Sequence, residues 1–544
     1  MSTWLTTVGG VLRDRRQRLL VTAFLGFAVA EYGVWVVLLV YAYGLGGAPF
    51  AALVAVAQMV PSALAAPLGA FAGDRFPRGR VLLVAYVVQA VTLLATSAAL
   101  VVGAAPALVL TIAAANSASI TFTRPTHFAV LPDVTESVAA LTGANAVSGL
   151  ADGLGMLLGP FVAGALLSAS GPAAALAAFG AILTVAAAQI VEVRVASGAG
   201  PEHPLTARAV LGEVLHGFAV LRAEPAVRLP IAVLATMFVV VGALDVLLVA
   251  AAIDLLHAGQ GWAGYLNAAL GLGGIAGAGL AVSLAGRRRL TPALAAGSAL
   301  FGGPVAALGA LPTLTTAPLL IGLTGVGRSV ASVAGNTLLQ RAAPPAAMAR
   351  VFGVLESLTM VSLALGSVVA SALVASVGIA AALLAAGALV PLVVALLWRP
   401  LRAVERGAHV PDPGLLALAR SLPIFAPLPP PAMERVMASL ERLELPAGAT
   451  LIREGARGDR LYILAEGGVD VVRQGRHIAA RSGPDVLGEI ALLRDVPRTA
   501  TVLATTPLVL YALDRDPFLE AVTGHPQSRV AAESLADRRL AEEV

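Results

Sequence analysis

Between Leu487 and Val502 the chain reads L-G-E-I-A-L-L-R-D-V-P-R-T-A-T-V. Gly488 suits a tight turn into a short helix, whose free first-turn N–H groups at Ile490 and Ala491 would point at an anion. Arg498 follows with a planar, permanently charged fork that can hold a phosphate through two bonds. A second set of residues is chemically conspicuous for its surroundings. Glu31, Arg124, Asp152, Asp245, Arg328 and Glu356 all stand inside long apolar runs, where ionisable groups are costly and usually functional.

The elements that carry these residues follow from composition. The chain is 58% hydrophobic and 12% charged, with a mean hydropathy of +0.86. Apolar runs long enough to cross a bilayer as helices recur through roughly the first 400 residues. Twelve spans are expected, near 19–43, 51–72, 81–103, 106–128, 140–168, 173–195, 229–256, 262–285, 291–311, 315–338, 349–377 and 379–398. The arginines before the first run precede no cleavage-site pattern, so that run is taken as a span and not a signal peptide. Cysteine is absent and all 36 basic residues are arginine. Thiolate chemistry is thereby excluded, and so is an ordinary Walker A loop, which needs a lysine. A net charge of +4 is compatible with nucleic acid, but the arginines flank membrane segments and form no single patch. No nucleic-acid partner is expected, and seven histidines without ligand spacing predict no metal site.

The odd-numbered linkers contain no arginine, whereas even-numbered ones hold Arg75, Arg78 and Arg80; Arg194, Arg208, Arg222 and Arg228; Arg287, Arg288 and Arg289; and Arg341 and Arg350. The positive-inside rule places the even linkers and both termini in the cytoplasm. A polar stretch with an amphipathic run at Thr206–Arg222 divides the spans six and six. Gly159–Leu166 is echoed by Gly366–Leu373, and repeated six-span halves mark transporters with a midplane site. Five regions are therefore expected: a first half at 1–195, a central loop at 196–228, a second half at 229–398, a linker at 399–420 and a soluble domain at 421–544.

Two motifs give the membrane part a family. G-A-F-A-G-D-R-F-P-R-G-R at Gly69–Arg80 resembles the G-x-L-x-D-R-x-G-R-R motif of the major facilitator superfamily, with Pro77 in place of a glycine. The resemblance implies a conformational gate on the cytoplasmic face, built from Gly69, Gly73, Asp74, Arg75, Arg78 and Arg80. A decayed copy at Gly279–Arg288 has Ser283 and Leu284 for the Asp and Arg. In the fifth span, Gly155, Gly159, Pro160 and Gly164 resemble the G-x-x-x-G-P-x-x-G-G motif of the superfamily's exporters and drug:proton antiporters. Ala163 replaces one glycine there. Small residues at this spacing let helices approach closely. Glu31 and Asp245 occupy similar depths in the first helix of each half. They are candidates for proton coupling or for holding a cationic cargo group; alternatively, Glu31 neutralises Arg124 or Arg328. Asp254 reads as a solvated span end.

Beyond Trp398, short β-like runs punctuated by glycines precede a charged helical stretch from Gln527. From Leu422 to Val522 the order of features resembles the cyclic-nucleotide-binding domain, an eight-stranded β-roll. The resemblance implies a site at Leu487, Gly488, Glu489, Ile490, Ala491, Arg498, Thr499 and Ala500. Arg498 would bind the cyclic phosphate and Glu489 the ribose 2′-hydroxyl. Leu487 replaces a common phenylalanine. Thr499 is compatible with cAMP or cGMP, with cAMP preferred. The last helix would cover the base through Val530, Leu535 or Leu540, with Arg538 and Arg539 contributing. No helix-turn-helix follows. The reading is a polytopic helical membrane protein with a C-terminal α+β nucleotide domain. It describes a proton-coupled exporter of a small lipophilic or amphipathic substrate in the plasma (inner) membrane, modulated by cAMP or cGMP. The alternatives are a non-transporting receptor on a transporter scaffold and a nucleotide-gated channel. No selectivity-filter loop or arginine ladder supports the channel.

Overall fold

The computed structural model describes residues 9, 11, 13–135, 138–193, 225–281, 289–343, 348–407 and 413–542, with the side chains of 60, 63–75, 138, 139, 142, 349, 406, 407, 413, 430, 431, 434, 438, 526 and 542 outside that description. The chain divides into two compact units, residues 1–407 and 408–544.

The first unit is helical. Its elements are α1 (Arg15–Arg75), α2 (Arg78–Val101), α3 (Pro106–Val130), α4 (Val138–Val193), α5 (Pro225–Ala250) and α6 (Gly261–Ala281). These are followed by α7 (Thr291–Ala310), α8 (Ala317–Ala342), α9 (Met348–Val377), α10 (Ile379–Leu396) and α11 (Trp398–Gly407). Among the described residues, nine helices are long and apolar enough to cross a membrane. Two of these are interrupted. α1 breaks at Gly46–Gly47, where Gly47 has φ +64°, and α4 breaks at Gly171, φ +78°, immediately before Pro172. Positive φ is cheap for glycine, and the proline lacks the N–H that would continue the ladder. Both breaks fall in linkers expected from the sequence.

The glycines that dilute the hydropathy of α6 are what pack it. A Cβ on Gly273 would lie 1.8 Å from the Gly322 carbonyl of α8, and one on Gly325 would lie 2.1 Å from the Leu270 carbonyl. Gly155 and Gly159 press against α1 in the same way, 2.4 Å from Ala28 Cβ and 2.5 Å from the Val29 carbonyl. On the other side, a Cβ on Gly164 would lie 2.6 Å from the Gly261 carbonyl and one on Gly264 would lie 2.4 Å from the Pro160 carbonyl. The glycine motif of span 5 is therefore a two-sided close-approach surface, with span 1 on one flank and the opposite half on the other. Gly264→Val should force α4 and α6 apart against rigid backbone and cost about 1–3 kcal/mol. A lowered unfolding temperature in detergent would register it; an unchanged one would contradict this packing.

The residues given to a linker at 399–407 instead form α11, which belongs with the membrane unit. The sequence disguises this because the helix is mostly polar. Its Leu401 is fully buried, and the buried Glu405 carboxylate accepts from Leu290 N, from Thr291 N at 3.0 Å and from Thr291 Oγ1 at 2.8 Å. A carboxylate there satisfies N–H groups at the start of α7 and complements that helix's dipole. The central-loop run Thr206–Arg222 lies outside the described residues, and α5 already includes residues 225–228.

The second unit opens with α12 (Pro413–Ser421) and α13 (Pro430–Ala438). Strands β1 (Glu441–Leu445), β2 (Thr450–Ile452), β3 (Arg460–Glu466), β4 (Gly468–Arg473), β5 (Arg476–Ser482) and β6 (Asp485–Leu487) follow. Then come α14 (Glu489–Arg494), β7 (Thr501–Ala504), β8 (Leu508–Asp514), α15 (Arg515–Thr523) and α16 (Pro526–Glu542). The strands form two antiparallel four-stranded sheets, ordered β1-β8-β3-β6 and β2-β7-β4-β5. Ile452, Leu464, Val469, Leu487, Val502 and Leu510 fill the roll, while Phe425, Met433, Leu461 and Phe518 bind the helices to it.

Candidate functional sites

In the β-roll, β6 ends at Leu487 and the chain turns through Gly488, φ +86°, into α14. A side chain at 488 is barred twice: by that φ, and because a Cβ would lie 2.2 Å from Arg498 Nη1. The glycine lets the arginine lie flat across the turn. Arg498 donates to the Gly488 carbonyl at 2.9 Å and to the Arg460 carbonyl at 2.6 Å, while Ala456 O receives its backbone N–H at 2.8 Å. Its side chain is only 5% exposed, and the nearest carboxylate among the described residues is Asp459 at 3.8 Å. Burial pushes the guanidinium below its ordinary pKa. A buried cation whose side-chain hydrogen bonds all go to carbonyls, with one exposed carboxylate at 3.8 Å, is well placed to take an anion.

Leu487, Gly488, Glu489, Ile490, Ala491, Arg498, Thr499 and Ala500 all line one cavity, walled further by Ile452, Val471 and Val502. Another wall is Arg539 of α16. It donates to Glu489 at 2.8 Å, to Asp485 at 2.6 Å and to the Val486 carbonyl. Glu489 and Arg539 are both buried. Burial raises the Glu489 carboxyl above its usual range, and the Arg539 charge opposes that rise. Sequence reading named Arg539 only as a contributor to the lid. Its ion pairs with Glu489 and Asp485 span about fifty residues and leave no local signal.

In the membrane unit the ionisable residues sort into three groups. Arg124 bridges Glu31 at 2.6 Å and Asp152 at 2.7 Å, all three partly exposed, with Tyr32 Oη 3.4 Å away. Of the two cations considered for Glu31, the structure selects Arg124. Asp245 stands beside the Trp35 indole and in the field of Arg328, whose Nη2 instead reaches Met156 Sδ at 3.3 Å. Glu356 is exposed on α9 and is not brought to either group. Asp254 is exposed, as a span end should be, yet it also accepts the Tyr43 hydroxyl at 2.5 Å, joining the two halves. That bond joins residues 211 apart in sequence, so nothing in the sequence signalled it.

Of the gate motif, Gly69 and Gly73 lie in the helical backbone of α1, while the side chains of Asp74 and Arg75 fall outside the described residues. Arg78 donates to the Ala129 carbonyl at 3.1 Å and faces Asp133 at 3.6 Å; Arg80 is exposed. The decayed copy is described only for Gly279–Ala281.

The halves meet at one end. Beside the Tyr43–Asp254 bond lie the Gly164–Gly261 contact and the Phe161–Tyr265 ring pair at 5.7 Å. Further along the same helix pair, Gly153 still has Ile275 at 3.8 Å, whereas Cβ positions on Gly149 and Gly279 meet nothing within 4 Å. α4 and α6 thus diverge toward the end carrying Arg78 and Arg80.

The profile of the Major Facilitator Superfamily matches residues 19–355, and that of the cyclic nucleotide-binding domain matches residues 442–525. The chain belongs to the Major Facilitator Superfamily and carries a cyclic nucleotide-binding domain after its membrane helices. It is similar to the cAMP-dependent protein kinase regulatory subunit of Yarrowia lipolytica, 36% identical over 95 residues, which are 18% of this chain and 25% of that one. It is also similar to the mouse potassium/sodium hyperpolarization-activated cyclic nucleotide-gated channel 2, 35% identical over 123 residues, 23% of this chain and 14% of the channel. Among solved structures, the regulatory domain of Toxoplasma gondii PKA with cAMP is 31% identical, covering 19% of this chain and 42% of that one with a TM-score of 0.19. The similarity thus spans a quarter or less of the curated relatives' own length.

Proposed function

We propose that the protein is a secondary transporter of the superfamily, an exporter of a small lipophilic or amphipathic substrate coupled to protons, whose cycle is set by a cytoplasmic cyclic nucleotide. The observation that carries this reading is the buried, carboxylate-poor Arg498 facing a cavity shared with Glu489. Arg498 would receive the cyclic phosphate and Glu489 the ribose 2′-hydroxyl. The relatives named for cAMP favour that nucleotide, and Thr499 is compatible with it. To reach Glu489 the ribose must displace Arg539, so binding would free α16 from β6 and α14. The chain continues from the carrier through α11, so this helix is the covalent route by which a change in the nucleotide domain reaches the start of α7. Glu405→Ala should keep nucleotide binding and weaken its effect on the carrier; an undiminished effect would exclude this route.

On the arginine map, the end where α4 and α6 diverge faces the cytoplasm, and the glycine-packed end is closed to the outside. Export starts from such a state. The carboxylates nearest the midplane supply the coupling: Glu31 shares Arg124 with Asp152, and Asp245 stands apart from any ion pair. A proton on Glu31 would leave Arg124 to Asp152 alone. The experiment is proton release from reconstituted vesicles under a pH gradient with a panel of amphipathic compounds. Cargo-dependent proton movement should fail in Glu31→Gln or Asp245→Asn. Movement unchanged in both variants would end the coupling assignment.

A further inference from the structure

Arg328 is the cation that the carrier itself leaves unmatched. Arg124 has two carboxylates within 2.7 Å. Among the described residues, Arg328 has none within ion-pair range, its only hydrogen-bond partner is the Met156 thioether at 3.3 Å, and its buried Nε has no partner. A thioether is a weak acceptor. Arg328 is half-buried and its Nε wholly so, and a guanidinium with a buried donor unmet costs free energy that an anionic partner would offset. Asp245 lies in the field of Arg328 but beside the Trp35 indole, and forms no ion pair with it among the described residues.

The placement is built by packing. α8 is held against α6 through glycines, at Gly273–Gly322, Gly277–Val326 and Gly325–Leu270. Ser329, next in the chain, donates to the Gly274 carbonyl at 2.8 Å. This fixes Arg328 toward Met156 of the opposite half, with Tyr32 in its field. Polar and apolar groups from both halves therefore converge there: a free guanidinium fork on one side, and a thioether, a phenol and an indole on the other.

We propose that Arg328 is the anion subsite for the carrier's cargo. It takes the carboxylate or sulfonate of an amphipathic organic anion, whose apolar body lies against Met156, Tyr32 and Trp35. This rests on the carrier reading and narrows the cargo to an acid. It differs from the alternative read from the sequence, a cationic cargo group held by Glu31 or Asp245; the Glu31 carboxylate is paired with Arg124. Asp245, in the field of Arg328, carries the same sign of charge as the acid, so its removal should favour the acid.

The test is binding to the purified full-length protein of three matched sets: benzoate, 1-naphthoate and cholate, each with its amide and the corresponding primary amine. At least one acid should bind more tightly than its amide and amine. Arg328→Gln should lose that preference by about 10- to 100-fold, the scale of hydrogen bonds to a charged group. Asp245→Asn should bind the same acid more tightly, a change that a merely structural Arg328 would not produce. If no acid is preferred to its amide, or if the preference survives in Arg328→Gln, the subsite is wrong. Preference for an amine, lost in Glu31→Gln and kept in Arg328→Gln, would overturn the anion assignment while leaving a carrier of cations in place.

Discussion

Arg498→Glu should abolish cyclic-nucleotide binding. The wild-type guanidinium lies across the Gly488 turn, held by two carbonyls and almost fully desolvated. A cyclic phosphate arriving there would gain charge-assisted bonds in a site shielded from solvent, each worth about 1.5–3 kcal/mol. Reversing the charge removes those bonds and adds repulsion, so affinity should fall by at least about 100-fold. Calorimetric titration with cAMP and cGMP measures this directly. Equal binding by the variant would mean that the anion lies elsewhere in the roll. Because Gly488 and Arg498 share one space, Gly488→Ala should fail in the same assay.

Arg539→Ala should act in the opposite sense on binding and abolish the signal. Arg539 holds both Glu489 and Asp485 in a buried cluster. Removing one partner of a buried pair costs about 3–5 kcal/mol. On the proposed displacement of Arg539 by the ribose, that cost falls on the state without nucleotide and less on the bound state. Apparent affinity should therefore rise by about 10-fold or more while the domain's unfolding temperature without nucleotide falls. The carrier should then no longer respond, because α16 has no latch to release. Weaker binding would show that Arg539 contacts the nucleotide and does not compete with it.

Much of this architecture was legible because it rests on periodic or local features. Apolar runs and the arginine contrast marked the membrane spans, and glycines between short β-like runs marked the roll. The cassette from Leu487 kept its order. What escaped the sequence was pairing at a distance. Tyr43 with Asp254, Glu405 with the start of α7, and Arg539 with Glu489 each join residues that only the folded chain brings together. Polarity misled in one place: α11 reads as a linker, yet one buried leucine and one buried carboxylate tie it to the membrane unit. Glu356, named with the other ionisable residues of the spans, is exposed on α9 and joins neither ionic group.

The nucleotide can bias the carrier only through unequal affinity for its two states, and a shift of a few kcal/mol needs roughly a 10²–10³-fold difference. The absence of cysteine allows that shift to be read without a known cargo. Spin labels on Gly149→Cys and Gly279→Cys, where added side chains meet open space, report the separation of α4 and α6. Their distance distribution, measured in lipid nanodiscs, should change when cAMP is added and stay fixed in the Arg498→Glu background. An unaltered distribution at saturating cAMP, with binding intact, would contradict nucleotide control of the carrier.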